Sequence, residues 1–236
     1  MPGQEEWKRN SAREAAKLVR NDMLVGLGSG TTVAKVVKEL VEKGTKARFV
    51  TASIATQKLA DRLDLNLTTL EKGTGLDLTI DGADEIDPNL RLLKGGGGAH
   101  TRERIVTGAA EELVIVADST KLVEKLGEKN PVPVEVIPFA YEYVAGLIEE
   151  YGKRSELRRT ETGNPYVTDN GNYIVDLRTD PVNNPEKLRE DLDKIPGTVD
   201  NGIFTDKPDK ALIGHEEGCR AVETKEQHRE LRRALK

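Results

Sequence analysis

What most limits the fold of this chain is an alternation. Short apolar runs that read as buried strands are followed repeatedly by stretches with helical spacing. "MLVGLG" (23–28), "ARFVTAS" (47–53), "LDLTIDGADEID" (76–87) and "ELVIVADST" (112–120) are the strand-like runs. A helix is predicted before the first, from Trp7 to Val19. Another follows it, where Val33, Val36, Val37, Leu40 and Val41 fall on one face. Further helices are predicted over Thr56–Leu63, around Ile105, Val106, Ala109 and Ala110, and over Lys121–Glu128. Strands separated by helices must run parallel, with the helices packed on the sheet. The predicted fold class is therefore α/β, a Rossmann-like open parallel sheet with helices on both faces.

The pattern changes at "NPVPVEVIP" (130–138), where three prolines mark a boundary. Beyond it the order is β-α-β-β-α-β: "VEVIP", a helix over Phe139–Tyr151, "SELRRT", "NYIVDLRT", a helix over Glu186–Ile195 and "GTVDNGIFT". That is the order of a smaller α+β, ferredoxin-like domain. "KALIG" (210–214) then reads as a strand returning to the first sheet, so the small domain is an insertion. The expected division is a catalytic α/β domain over 1–129 and 207–236 and a small domain over 130–206. "ETKEQHRELRRALK" ends the chain as a charged helix, either solvated or an oligomer contact.

Composition removes several classes. With 36 Lys and Arg against 41 Asp and Glu, the net charge is only −5, and no basic block points to nucleic acid or a membrane surface. "MPGQEEWKRN" lacks the apolar stretch of a secretory signal, and no run approaches the ~18 apolar residues of a spanning helix. The expectation is a cytoplasmic protein without nucleic-acid or membrane partners. Cys219 is the one cysteine, which rules out a disulfide within the chain and a thiolate metal cluster. A nucleophilic pair with His215 is conceivable, but a bystander is the commoner role.

Ligands of open parallel sheets bind outside the carboxyl ends of the strands, and four polar clusters fall there. "GLGSGTT" (26–32) places Ser29, Gly30, Thr31 and Thr32 at a helix start, where N–H groups and hydroxyls suit a single phosphate. It lacks the third glycine of a dinucleotide fingerprint and the Gly-Lys-Ser/Thr of a nucleotide loop. A tight turn that binds nothing is the alternative. "DGADEID" gathers Asp81, Asp84, Glu85 and Asp87, with Gly82 and Ala83 between the first two. These carboxylates could hold Mg²⁺, accept from sugar hydroxyls, or be solvated turn residues. "LKGGGGAHTRE" (93–103) sets Lys94 before Gly95, Gly96 and Gly97, with Glu103 beyond them. Backbone N–H groups there can face a ligand with no side chains in the way, unless the run is merely a mobile loop. His100 has no visible partner for a general-base role. Lys121 in "DSTK" could reach an anion in the same crevice or simply be exposed. A cation, a backbone donor nest, carboxylates and a phosphate loop together suit proton transfer next to the carbonyl of a phosphorylated sugar.

"GLGSGTT", "DGADEID", "LKGGGGAHTRE", "PVPVEVIP", "TDNGN" and "IPGTVDNGIF", in this order, resemble type A ribose-5-phosphate isomerase over about Trp7 to Gly218. The resemblance implies interconversion of ribose 5-phosphate and ribulose 5-phosphate through an enediolate, in the pentose phosphate pathway, without metal or organic cofactor. It implies Glu103 as general base and Lys94 as the group that stabilises charge on the carbonyl oxygen, helped by N–H groups of the glycine run. Asp81 and Asp84 would hold sugar hydroxyls, Ser29 to Thr32 would form the substrate-binding loop, and Lys121 and Lys8 would be basic residues near the substrate. A homodimer or a dimer of dimers is implied as well. The family's loop more often reads Gly-Thr-Gly-Ser-Thr, so Ser29 and Thr31 exchange the two hydroxyl types here. His100 stands where many members have leucine, and the tail beyond about Gly218 is longer than expected. A non-catalytic sugar-phosphate sensor and a CoA-transferase-like enzyme are the competing readings on a similar fold.

Overall fold

The computed structural model describes residues 2–71 and 75–235. In chain order the elements are α1 (Pro2–Leu18), β1 (Leu24–Leu27), α2 (Thr31–Lys43), β2 (Arg48–Thr51), α3 (Ile54–Arg62), β3 (Leu78–Gly82), β4 (Glu85–Ile86), β5 (Leu92–Leu93), α4 (His100–Gly108) and β6 (Leu113–Asp118). They continue with β7 (Val132–Val136), α5 (Tyr141–Ile148), β8 (Arg154–Leu157), β9 (Tyr173–Arg178), α6 (Pro185–Asp193), β10 (Thr198–Asn201), β11 (Ile203–Phe204), β12 (Lys210–His215), β13 (Gly218–Val222) and α7 (Lys225–Ala234). They fall into two compact units. The first takes the described residues up to Ala83, Arg102–Leu122 and those from Pro208 on; the second takes Asp84–Thr101 and Val123–Lys207.

The first unit is built on a six-stranded sheet in the order β13-β12-β6-β3-β1-β2. β2, β1, β3, β6 and β12 pair in parallel, and β13 closes one edge antiparallel to β12. Side chains alternate across each strand, so both faces of a parallel sheet need cover. On one face Val25 and Leu27 of β1 and Phe49 of β2 share a core with Ala12 and Ala15 of α1, Val33, Val36, Val37 and Leu40 of α2, and Ala60 of α3. On the other, Leu24, Val50 and Leu76 meet Val106 of α4. The expected helix face of α2 is the buried one, each fully covered Val or Leu contributing about 1.5–3 kcal/mol. The fold class is thus α/β, as predicted, and "KALIG" does return to the first sheet as β12.

The second unit holds a four-stranded antiparallel sheet in the order β10-β7-β9-β8. With α5 after β7 and α6 after β9, this is the ferredoxin-like arrangement that the element order predicts. Its core joins Val132, Val134 and Val136 of β7 to Val144 and Ile148 of α5 and Leu188 and Leu192 of α6. A small three-stranded sheet, β11-β5-β4, lies in the same unit.

Two local expectations are corrected. No α-helix forms over 121–128: a single 3-10 turn at Ser119–Lys121 is followed by irregular chain. Buried Glu85 explains this, because its carboxylate accepts from the N–H groups of Gly127, Lys129 and Asn130, at 2.6, 2.7 and 2.7 Å, which fixes a loop there. "GTVDNGIFT" is two strands, not one. It breaks at Gly202, whose N–H donates to Pro133 O while its carbonyl accepts from Lys94 N, so that β10 and β11 serve different sheets. Among the described residues no helix is long and apolar enough to cross a membrane.

Candidate active site

In the first unit the parallel strand order β2-β1-β3 reverses direction between β1 and β3. An open sheet leaves a crevice at such a switch point, outside the carboxyl ends of its strands. β1 runs out there into Gly28, Ser29 and Gly30, and β3 runs out into Asp81 and Gly82. Asp81 is fully buried, and its Oδ1 accepts from the backbone N–H groups of Gly82 at 2.6 Å and Ser29 at 3.2 Å. Only glycine can stand at position 28, since an added Cβ would lie 1.7 Å from that same oxygen.

Ser29 is the joint of this cluster. Besides its N–H to Asp81, its hydroxyl donates to Glu103 Oε1 at 2.6 Å. Glu103 lies in the first turn of α4 and is only 4% exposed. Gly30 caps α2 without a side-chain hydrogen bond, and there is no acidic residue in the helix's first turn. Thr31 and Thr32 therefore open a helix whose first N–H groups have no acceptor within the helix, the ordinary setting for an anion.

The two lysines proposed from sequence also belong to this unit. Lys121 ends the 3-10 turn that follows β6, at the carboxyl edge of the sheet. Lys8 sits on α1 and pairs with Glu5 at 3.3 Å, and Glu5 also pairs with Lys35 of α2 at 2.9 Å. Hydrogen bonds from Lys35 and then Lys8 hold the Glu5 carboxyl below its ordinary range.

Other residues proposed from sequence belong to the second unit. Asp84 N donates to Leu93 O and Lys94 N to Gly202 O, which fixes both residues beside the three-stranded sheet. Lys94 is 3% exposed, and its Nζ stands 5.6 Å from the centre of the Phe204 ring, a cation–π distance. Asp84 Oδ2 accepts from Gly96 N at 2.7 Å, so this carboxylate is tied directly to the glycine run. His100 is fully buried at the start of α4.

The four acidic residues of "DGADEID" divide by what they bind. Glu85 and Asp87 are fully buried and engaged in local structure. Glu85 holds the 127–130 loop, and Asp87 accepts from Asn89 N and Arg91 N and pairs with the Arg91 guanidinium at 2.6 Å. They are neither solvated turn residues nor open to a ligand. Asp81 and Asp84 remain as candidates.

Sequence reasoning missed three residues. Arg158 donates to the carbonyls of Gly95 and Gly96 at 2.8 and 3.1 Å, and Tyr166 Oη donates to Gly97 O at 2.9 Å. Burial, followed by the nearby Asp169 carboxylate, pushes the Tyr166 phenol above its ordinary value, so it keeps its proton and acts as donor. Glu135, fully buried on β7, accepts from Thr101, Thr168, Asn170 and Asn172. The motif "TDNGN" marks three of these donors, but nothing in its spacing names the carboxylate they serve.

Residues 48–218 match the family model of ribose 5-phosphate isomerase A (phosphoriboisomerase A). The chain is 44% identical over 218 residues to ribose-5-phosphate isomerase A of Dinoroseobacter shibae, an alignment covering 88% of this chain and 84% of the relative. Among solved structures it is similar to ribose 5-phosphate isomerase A of Methanocaldococcus jannaschii, with 40% identity, a TM-score of 0.88, and coverage of 94% of this chain and 100% of the other. A D-ribose-5-phosphate isomerase in complex with phospho-erythronic acid superposes with a TM-score of 0.89 at 37% identity, covering 93% and 98% of the two chains.

Proposed function

The chain belongs to the ribose 5-phosphate isomerase A family, and on that footing we propose that it interconverts D-ribose 5-phosphate and D-ribulose 5-phosphate by proton transfer through an enediolate. Glu103 is the base. It takes the proton from C2 of the open-chain aldose, the electrons move onto the carbonyl oxygen at C1, and the same carboxylic acid returns the proton to C1 to give the ketose. Lys94, helped by N–H groups of the glycine run, stabilises the negative charge that gathers on oxygen in between.

Asp81 and Asp84 hold the sugar hydroxyls and carry the proton that must pass between the two oxygens. Ser29, Gly30, Thr31 and Thr32 take the phosphate end at the start of α2, with Lys121 and, less directly, Lys8 supplying positive charge. Gly82 and Ala83 line the substrate between the two aspartates. The relative's ligand, phospho-erythronic acid, supports this chemistry. It is a phosphorylated hydroxy acid whose planar, anionic carboxylate has the shape of an enediolate.

The observation that carries the base assignment is the 2.6 Å hydrogen bond from Ser29 Oγ to Glu103 Oε1, which aims a buried carboxylate from the loop that would hold the substrate. No step calls for a metal or organic cofactor. The working form is a homodimer or a dimer of dimers, and the setting is the cytoplasm, in the non-oxidative pentose phosphate pathway. Incubation of the pure protein with ribose 5-phosphate in EDTA tests the proposal. Ketopentose phosphate should accumulate to an equilibrium mixture, and product no faster than in a protein-free control overturns it.

A further inference from the structure

The glycine run is short of side chains, so something else must hold it in shape. Its carbonyls point to an unassigned pair of residues from the β8–β9 hairpin. Arg158 follows β8, and its N–H and C=O extend the hairpin to Ile174 and Tyr166. Each of its three guanidinium nitrogens has a partner. Nε and Nη2 grip Asp176 of β9 at 2.8 and 2.5 Å, and Nη1 reaches Gly95 O and Gly96 O. Tyr166 takes the next carbonyl, Gly97 O, and its ring lies 5.9 Å from the guanidinium carbon. Gly98 closes the turn at φ 75°, with its N–H on Gly95 O, and an added Cβ there would meet the Tyr166 ring at 2.5 Å. Three consecutive carbonyls are therefore held by one two-residue brace.

A trans peptide sets its N–H opposite its C=O. Drawing the carbonyls of Gly95 and Gly96 toward Arg158 turns the N–H groups of Gly96 and Gly97 the other way. The Gly96 N–H accordingly points to Asp84 Oδ2 at 2.7 Å. A cation on a carbonyl oxygen also polarises its peptide and makes the attached N–H a stronger donor. The planar fork of arginine can hold a carboxylate and two carbonyls together, which the point charge of lysine cannot.

We propose that Arg158, seconded by Tyr166, is a positioning residue of the isomerase reaction: it keeps the Gly96 N–H on Asp84 and sets the direction and donor strength of the Gly97 N–H, the one offered to the developing oxyanion. This rests on the role given above to the glycine run. Its signature is selective loss of enediolate binding. A donor that strengthens only as charge develops affects turnover and enediolate mimics more than the bound sugar.

The test measures kcat and KM for ribose 5-phosphate, and the inhibition constant of phospho-erythronic acid, for the native chain, Arg158→Gln, Arg158→Lys and Tyr166→Phe, each checked for folding by its melting temperature. Arg158→Gln should lower kcat by about 10- to 100-fold, leave KM within about threefold, and weaken inhibition in proportion to the loss in kcat/KM. Arg158→Lys should fall between it and the native chain. Tyr166→Phe, which removes one oxygen, should lose about three- to tenfold in kcat and in inhibitor affinity alike. Native kcat and native inhibition in Arg158→Gln overturn the inference, as does a fall in kcat with inhibition unchanged, the mark of a merely structural role. Should Arg158→Gln not fold, Tyr166→Phe decides by the same two readings. No turnover by the native chain overturns the isomerase reading and this inference with it, whereas native turnover beside unaffected variants overturns the inference alone.

Discussion

Ser29 Oγ and Glu103 Oε1 lie 2.6 Å apart, so the loop after β1 fixes the carboxylate of a helix 74 residues further along the chain. The same serine donates its N–H to Asp81. A single residue thereby ties the proposed phosphate loop, one proposed sugar-binding aspartate and the proposed base.

Removing that hydroxyl should cost catalysis more than stability. A hydrogen bond to a charged group contributes about 1.5–3 kcal/mol, which corresponds to roughly 10- to 100-fold in rate if it acts on the base. Ser29→Ala is expected to show that fall in kcat with a melting temperature within a few degrees of native. Steady-state kinetics beside a thermal melt checks it, and an unchanged kcat would show that Glu103 needs no such guide.

Glu135 makes acid stability predictable in sign. Burial alone would raise its pKa, but the hydrogen bonds from Thr101, Asn172, Asn170 and Thr168 outweigh that and leave it below its ordinary value of 4.5. A folded-state pKa below the unfolded one means stability that is present in full above the ordinary range and is lost as pH falls through the folded value. The melting temperature should decline as pH drops below about 4.5. Glu135→Gln should melt lower at pH 7, by the equivalent of about 2–4 kcal/mol, because the amide turns two hydrogens toward a site lined with donors. Its own melting curve should be flatter between about pH 5 and 3.

Cys219 should prove inert. Burial foremost, followed by the charge of Glu14, pushes its thiol up to about 12 from an ordinary 9.0. It pairs with Gly214 in the β12–β13 hairpin and packs against the first unit's core. Near-native activity is expected for Cys219→Ser, with alkylation by iodoacetamide at pH 8 far slower than that of a free thiol, since thiolate is the reactive form. Rapid alkylation with loss of activity would restore the nucleophile reading.

What was readable in the sequence follows the range of the forces involved. The parallel strands were legible because a strand covered on both faces must be an apolar run, as in "LVIVA", and α2 because its apolar residues fall on one face. The three-stranded sheet of β4, β5 and β11 was not: its strands are two residues long, and pairings such as Ile203 with Leu93, 110 positions apart, join them. The same pairings group residues 84–101 with the second unit. The polar clusters of the site were legible because strand ends can be located, but the division of labour among the acidic residues was not. Nothing about Glu85 in "DGADEID" announces that its carboxylate serves a loop more than 40 residues away. Arg158 and Tyr166 escaped for the same reason, since what they hold is backbone, which carries no sequence signal.

The central claim is that Glu103 moves the proton, and its most direct test is kcat for ribose 5-phosphate in Glu103→Gln beside the native chain, with substrate binding followed in parallel. Loss of a general base is expected to lower kcat by about 10²- to 10⁴-fold while ribose 5-phosphate still binds. A variant that binds substrate and turns it over within about threefold of the native rate would contradict the account.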